Sequence, residues 1–439
     1  MSDGEADDGG QGQRRTWEKG VVLTATEIEG CAPAADWSRW ITRGRAPVST
    51  APLRSFKPAA EADDLTMREA DTVAPGTTAG IAPSASALTE DLEQLAGLGI
   101  DAIAVTLEWA RLQPTPAAYD GAAVEARIEL LQAARAQGLR VWACLVDGTL
   151  PGWFADDEGG LDDDRARGLL WPRHIDWVGE TFGGLVDGWI PQREPLLWAL
   201  RRHLLGEAPP GDRDVRAAAR AVQSAMLAEG EAWRLLRGTA PVATYQTART
   251  IVAQPDNVKA TPQARLVERL LWHPWLGALT EGELVVADLP PRTVEHLRGA
   301  FDRVLVELRP AVLVDAAGAW KPYPPDAPIG PSGWAAWVEG MGEALHRAAE
   351  ELGDHEIVAA GSLADVADDG RARPDHISAV LDLVGEASRS STVAGWWQTS
   401  PIDGYHWQRG FGVQPGLITA DRRETPAAAT FRADGAATG

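Results

Sequence analysis

LTEDLEQLAGLGIDAIAVTLEW (88–109) carries two hydrophobic periods back to back. Leu88, Leu92, Leu95 and Leu98 recur at three- and four-residue spacing, the stripe of an amphipathic helix, and Gly99 supplies its stop. IDAIAVTLEW (100–109) follows at once, an apolar run short enough to be a strand covered on both faces. The same unit repeats downstream. Val124, Ile128 and Leu131 form a stripe ending at Gly138, and RVWACLV (140–146) is the next strand. Asp214 can cap a long helix through Val215, Val222, Met226 and Trp233, followed by PVATYQT (241–247). FDRVLVEL (301–308), a helix from Trp334 to Leu352, HEIVAAG (355–361), a helix over Ile377 to Val384 and TVAGWWQT (392–399) complete the series. With GVVLTATE (20–27) and LVDGWIPQ (185–192) the count of strands is eight. Strands alternating with helices imply parallel βαβ units, and eight is the number that closes a (β/α)₈ TIM barrel, α/β in class and a single domain. An open doubly wound sheet is the competitor, but no G-x-G-x-x-G opens any helix.

The barrel is expected over residues 17–430. Residues 41–87, rich in Ala, Pro, Ser and Thr, read as a long loop after the first strand, and 1–16 and 431–439 as disordered tails, the first of them acidic. Hydrophobic residues make up 45% of the 439 positions, ample for a large core. The formal charge is −22, from 41 basic and 63 acidic residues. That balance argues against nucleic acid, which is gripped by clustered Lys and Arg, and against an anionic membrane surface. Cys31 and Cys144 could form a disulfide only with each other. The first sixteen residues lack an apolar core, and no run is long enough to span a bilayer, so a cytoplasmic protein is expected. H-E-x-x-H, C-x-x-C, G-x-S-x-G and phosphate-loop motifs are absent from the sequence, and neither metal nor cofactor is expected.

In such barrels chemistry sits at the C-terminal strand ends. Those ends fall at Glu27, Glu108, Asp147, Glu194, Gln246, Glu307, Gly361 and Gln398 with Asp403; carboxylates converge on one mouth. Nineteen Trp stand against six Phe and four Tyr. Trp109, Trp153, Trp198, Trp396, Trp397 and Trp407 follow strand ends, and indoles with carboxylates suit the apolar and hydroxylated faces of a sugar. His406 lies near this mouth, whereas His174, His273 and His355 read as structural.

Five segments, in order, resemble family 1 glycoside hydrolases, the β-glucosidase-like enzymes. GVVLTATEIEG (20–30) with DWSRW (36–40) is similar to that family's opening strand and loop, LEWARLQP (107–114) to its second-strand motif, and LVDGTLPGWF (145–154) to its third. FGGLVDGWIPQREP (182–195) resembles the segment ending in Asn-Glu-Pro, and GWWQTSPIDGYHW (395–407) the tryptophan-rich last strand. The resemblance implies a retaining glycosidase, whose two carboxyls stand about 5–5.5 Å apart. It places the acid/base at Glu194, with Arg193 where an Asn would hold the sugar 2-hydroxyl. A guanidinium beside Glu194 lowers the carboxyl's pKa and weakens it as an acid. At the nucleophile's position on the seventh strand it places Ala359. Sugar contacts fall on Glu27, Asp147, Gln246, Asp403, His406 and Trp407. Ala104 and Thr399 stand where the family has Arg and Trp, and Glu307 occupies the sixth strand, where the family has Tyr.

Two functions follow from this pattern, and the fold admits a third. One is a glycoside hydrolase of altered chemistry, with Glu194 as acid and Glu307, Asp147 or Glu27 activating a water. The other is a catalytically inactive pseudo-glycosidase that binds a carbohydrate or a partner; a lyase or isomerase on the same scaffold is a third.

Overall fold

The apolar runs pair in chain order around a barrel. The computed structural model describes residues 17–24, 30–43, 85–367, 369–404 and 412–433, with side chains from residue 90 onward in the helix Ala85–Ala96. Its eight parallel strands are β1 (Glu18–Leu23), β2 (Ala102–Thr106), β3 (Arg140–Val146), β4 (Gly188–Gln192), β5 (Ala243–Ala248), β6 (Arg303–Leu308), β7 (Ile357–Gly361) and β8 (Val393–Thr399). Each neighbours the next in sequence, and β8 pairs with β1. Parallel bridges Trp189↔Val242 and Arg193↔Tyr245 join β4 to β5 and close the ring. The helices expected from periodicity cover the outside. Asp120 caps Gly121–Ala136 by accepting from the amides of Ala122 (3.0 Å) and Ala123 (3.1 Å). Asp214 caps Val215–Leu236 through the amide of Ala217 (2.8 Å). Gly99 and Gly138 take the left-handed backbone that ends a helix before a strand.

Alternation divides each strand between two cores. The inner one includes Val22, Ala104, Trp142, Ile190, Leu305 and Trp397; the outer one lies under the helices. Trp142 and Trp397 meet edge to face inside the barrel, ring centroids 6.0 Å apart. They fit because the strands beside them carry glycine. A Cβ on Gly20 would stand 2.5 Å from the Trp397 ring, and one on Gly188 2.4 Å from Trp142. Each buried indole hides on the order of 200 Å², or about 5 kcal/mol at ~25 cal/mol per Å².

The N-terminal end of the barrel is sealed electrostatically. Glu18 accepts from the Trp397 indole (2.6 Å) and from Arg303 Nη1 (3.1 Å), and contacts Arg140. Residues 431–433 are not tail. They complete the helix Pro426–Ala433, whose Phe431 is fully buried and takes the ammonium of Lys19 on its carbonyl. At the other boundary, positions 41 and 42 of the expected loop end a helix, Asp36–Thr42, and 85–87 begin another; 44–84 lie outside the described residues, as do 1–16 and 434–439. Cys31 and Cys144 are both free thiols. Among the described residues no helix is long and apolar enough to cross a membrane.

A buried carboxyl links β5 to its covering helix. Glu229 accepts from Thr244 Oγ1 (2.8 Å) and Gln246 Nε2 (3.0 Å), and burial pushes its pKa up to about 8. The folded carboxyl therefore keeps its proton up to about pH 8, while the unfolded one releases it near 4.5. Its stabilising share is complete below the unfolded value and is lost as pH rises through the folded one. Glu229→Gln keeps the shape, and the unpartnered Gln246 Oε1 can turn to accept from the new amide. We expect this variant to flatten the decline in stability between pH 5 and 8 and to exceed wild type at pH 8 by a few kcal/mol, roughly 1.4 per pKa unit. Urea denaturation across that range measures it; parallel curves would contradict the assignment.

Candidate active site

β4 ends in a left-handed residue. Glu194 has φ 47° and ψ 51°, its amide donates to the Tyr245 carbonyl (2.8 Å), and Pro195 starts the helix Pro195–His203 directly behind it. A non-glycine residue in this region costs about 1–2 kcal/mol. The turn lets two consecutive side chains, Arg193 and Glu194, line one cavity, which a regular strand would not.

Around this turn three buried carboxylates and two guanidiniums interlock. Arg309, just beyond β6, grips Glu194 with both arms: Nε lies 2.9 Å from Oε1, and Nη2 contacts Oε2. Thr247 of β5 donates its hydroxyl to the same Oε1 (2.7 Å). Arg193 turns the other way, its Nη1 3.5 Å from Asp147 and its Nη2 3.3 Å from Glu307. Glu307 on β6 also accepts from the Tyr245 hydroxyl and from Thr399 Oγ1 (3.2 Å), and lies 3.6 Å from Arg309 Nη2. Asp147, after β3, has Thr106 Oγ1 at 3.4 Å.

The charges follow from these contacts. Burial alone would raise the Glu194 carboxyl; the ion pair and hydrogen bonds of Arg309, backed by Arg193, outweigh it and hold it at about 2. Burial likewise raises Asp147, and here the pull of Arg193 is too weak to reverse it, with Glu194 and Glu307 adding repulsion. The guanidinium of Arg193 is held well above its usual range: burial opposes this, and Glu307 and Asp147 prevail.

Of the residues singled out from sequence, Glu194, Arg193, Asp147 and Glu307 come together at the mouth. Gln246 does not. It points outward to Glu229 and Thr244, because on β5 the inward positions are Ala243 and Tyr245. Asp403 holds the amide of Gly416 (2.6 Å) and so fastens two loop segments after β8. Glu27, His406 and Trp407 lie outside the described residues. On β7, Ala359 packs under the helices while Ala360 faces the barrel interior, so the inward-facing position is Ala360; neither carries a carboxyl. The indoles of Trp109, Trp153, Trp396 and Trp397 are buried core, and among the described members of the group Trp198 reaches the cavity. His174 is structural, stacked 4.1 Å from Trp109.

Tyr245, Thr247, Arg309 and Arg201 were missed. Period-two alternation on β5 would have turned Tyr245 and Thr247 inward, and Arg309 stands two residues after Glu307. The cavity beside Glu194 is bounded by Trp37, Trp198, Arg201 and Arg309, and offers ≈ 60 Å³ to water centres. That is a few water molecules, at roughly 10–15 Å³ each.

The barrel has known counterparts. The model of glycosyl hydrolase family 1 matches residues 62–269. β-Glucosidase A of Thermotoga maritima is 23% identical over 363 residues, 76% of this chain and 80% of that protein. A β-glucosidase of an Agrobacterium species is 27% identical over 184 residues, 40% of this chain and 39% of that one. Among solved structures, a β-glycosidase from Pyrococcus horikoshii superposes with a TM-score of 0.78 at 19% identity, covering 96% of this chain and 94% of that one. The T. maritima β-glucosidase in complex with deoxynojirimycin superposes at 0.76 and 18% identity, covering 96% and 98%. In sequence the chain is similar to the β-glucosidases of glycosyl hydrolase family 1, and in structure it shares their barrel fold.

The ion pair sets a measurable titration. In Arg309→Met the Glu194 carboxyl is expected to rise from about 2, since burial then acts against only the more distant pull of Arg193 and Arg201. The variant should also lose about 3–5 kcal/mol of stability, the usual result of leaving a buried charge unpaired. Carboxyl ¹³C NMR with Glu194→Gln as the assignment control measures the first; an unmoved resonance would contradict the pairing.

Proposed function

We propose that this chain is a pseudo-glycosidase: a β-glucosidase-like barrel that binds a carbohydrate-type ligand at its mouth and does not cleave it by the retaining route. The observation that carries the reading is the two-armed grip of Arg309 on Glu194. A general acid must hold its proton near the operating pH. With Arg309 holding its carboxyl far below the usual carboxylate range, Glu194 is ionised at neutral pH and has no proton to give. The retaining route also needs a second carboxyl to attack the anomeric carbon. The strand Ile357–Gly361 supplies alanine on both faces, Ala359 outward and Ala360 inward.

Altered chemistry with Glu307 as base has the convergence of carboxylates in its favour. The geometry weighs against it. Glu307 is already engaged by Tyr245, Thr399 and Arg193. It also shares Arg309 Nη2 with Glu194, 3.6 Å on its own side and in direct contact on the other. The nearest carboxylate oxygens are thus closer than the roughly 6.5–9.5 Å that accommodates a sugar carbon and a water in inverting enzymes. A guanidinium stands between them.

Binding is supported by the groups that remain. The cavity wall keeps hydrogen-bonding side chains from three strand ends, Asp147, Arg193 with Glu194, and Arg309, and two indoles, Trp37 and Trp198. The relative from T. maritima holds deoxynojirimycin; we assign a glycoside-like ligand to the corresponding end of this barrel. Incubation with 4-nitrophenyl β-D-glucoside and a 2-fluoro-glucoside tests the reading. The expected outcome is hydrolysis at the buffer rate and no covalent adduct by mass spectrometry. Turnover that disappears in Glu194→Gln, or a trapped glycosyl-protein, would contradict it.

A further inference from the structure

The cavity beside Glu194 has three guanidiniums in its wall, and they differ in what they touch. Arg309 is paired with Glu194. Arg193 is nine-tenths buried, and its Nη atoms face Asp147 and Glu307, but its buried Nε has no hydrogen-bond partner among the described residues. Arg201, on the helix Pro195–His203, makes no side-chain hydrogen bond among the described residues; its nearest ion-pair contact is Glu207, 3.8 Å from Nε, which leaves both Nη atoms unengaged. At short range the carboxylates engage two of the three guanidiniums. Asp147 faces Arg193, Glu194 faces Arg309, and Glu207 stays beyond hydrogen-bond distance of Arg201.

We propose that this cavity is an oxyanion site: Arg201 and Arg193, with Arg309 behind them, take the carboxylate or phosphate group of an acidic sugar. The proposal rests on the binding reading above and names the class of ligand. The lining fits the assignment: Arg193, Arg201 and Arg309 share one wall of the cavity. Guanidinium forks match planar carboxylate and tetrahedral phosphate, and they keep their charge at every physiological pH.

The repulsion inside the site points the same way. Burial lowers Arg201, and the neighbouring Arg309 and Arg193 lower it further, against the pull of Glu207 and Glu194. Arg249, whose Nε and Nη2 both donate to the Pro310 carbonyl, is depressed to about 9 by burial and by Arg309 and Arg201. Arg193 and Arg309 are compensated by carboxylates, whereas Arg201 and Arg249 feel their positive neighbours, and an anion beside Arg201 relieves that repulsion.

Isothermal titration of the full chain with inorganic phosphate, D-glucuronate and D-glucose tests the proposal. At least one anion is expected to bind ten-fold or more tighter than glucose, and to weaken ten-fold or more in Arg201→Gln. The Arg201 side chain makes no hydrogen bond among the described residues, so that variant should keep the wild-type melting temperature; Arg201→Lys should retain part of the affinity. Preference for phosphate identifies a phosphate ester as the source, and preference for glucuronate a uronic acid. Failure of both anions to bind, or affinity unchanged in Arg201→Gln, would overturn the proposal and leave the non-hydrolytic reading standing. Glucoside turnover together with anion binding would do the reverse.

Discussion

Asp147, Glu194 and Glu307 are buried together at one end of the barrel, and each needs a positive partner there. Removing an ionised carboxylate from water costs several kcal/mol even after the surroundings relax. Arg193 and Arg309 supply the compensation, and they do so by crossing between strands: Arg193 from the end of β4 reaches carboxylates after β3 and on β6, and Arg309 reaches from β6 to β4. The same contacts decide the chemistry. A carboxylate gripped by a guanidinium is a poor proton donor, whatever strand presents it.

The opposite end of the barrel follows the same rule with a different result. Glu18, Arg303, Arg140 and the Trp397 indole form a plug below the two large rings, and Lys19 ties the last helix to that floor. This arrangement befits a stabilising end. The mouth, by contrast, keeps open space and crowded like charges.

How much of this was legible in the sequence depends on the scale of the interaction. Strand and helix positions were readable because burial imposes periods of two and 3.6 on many residues at once; β3 and β6 to β8 fall within two residues of their expected bounds, and the caps at Gly99, Gly138 and Asp214 lie where they were expected. Side-chain direction near the strand ends was harder. Gln246 reads as a strand-end residue, yet alternation turns it to Glu229, and Ala359 and Ala360 exchange roles by a single step of register. Arg309 was the costliest omission. Arg193 was expected to restrain Glu194, and the direction of the shift is right, but the dominant partner comes from a strand 115 positions away. No local period encodes which guanidinium meets which carboxylate; only the closure of the barrel brings them together.

The central claim is that Arg309 and Glu194 act as one coupled unit in the folded protein. A double-mutant cycle with Arg309→Met and Glu194→Gln, read by urea denaturation at pH 7, tests it most directly. The account predicts a coupling of about 2 kcal/mol or more, because each single variant leaves a buried charge unpaired and the double variant leaves none. Additive single effects, with a coupling within about 0.5 kcal/mol of zero, would contradict it.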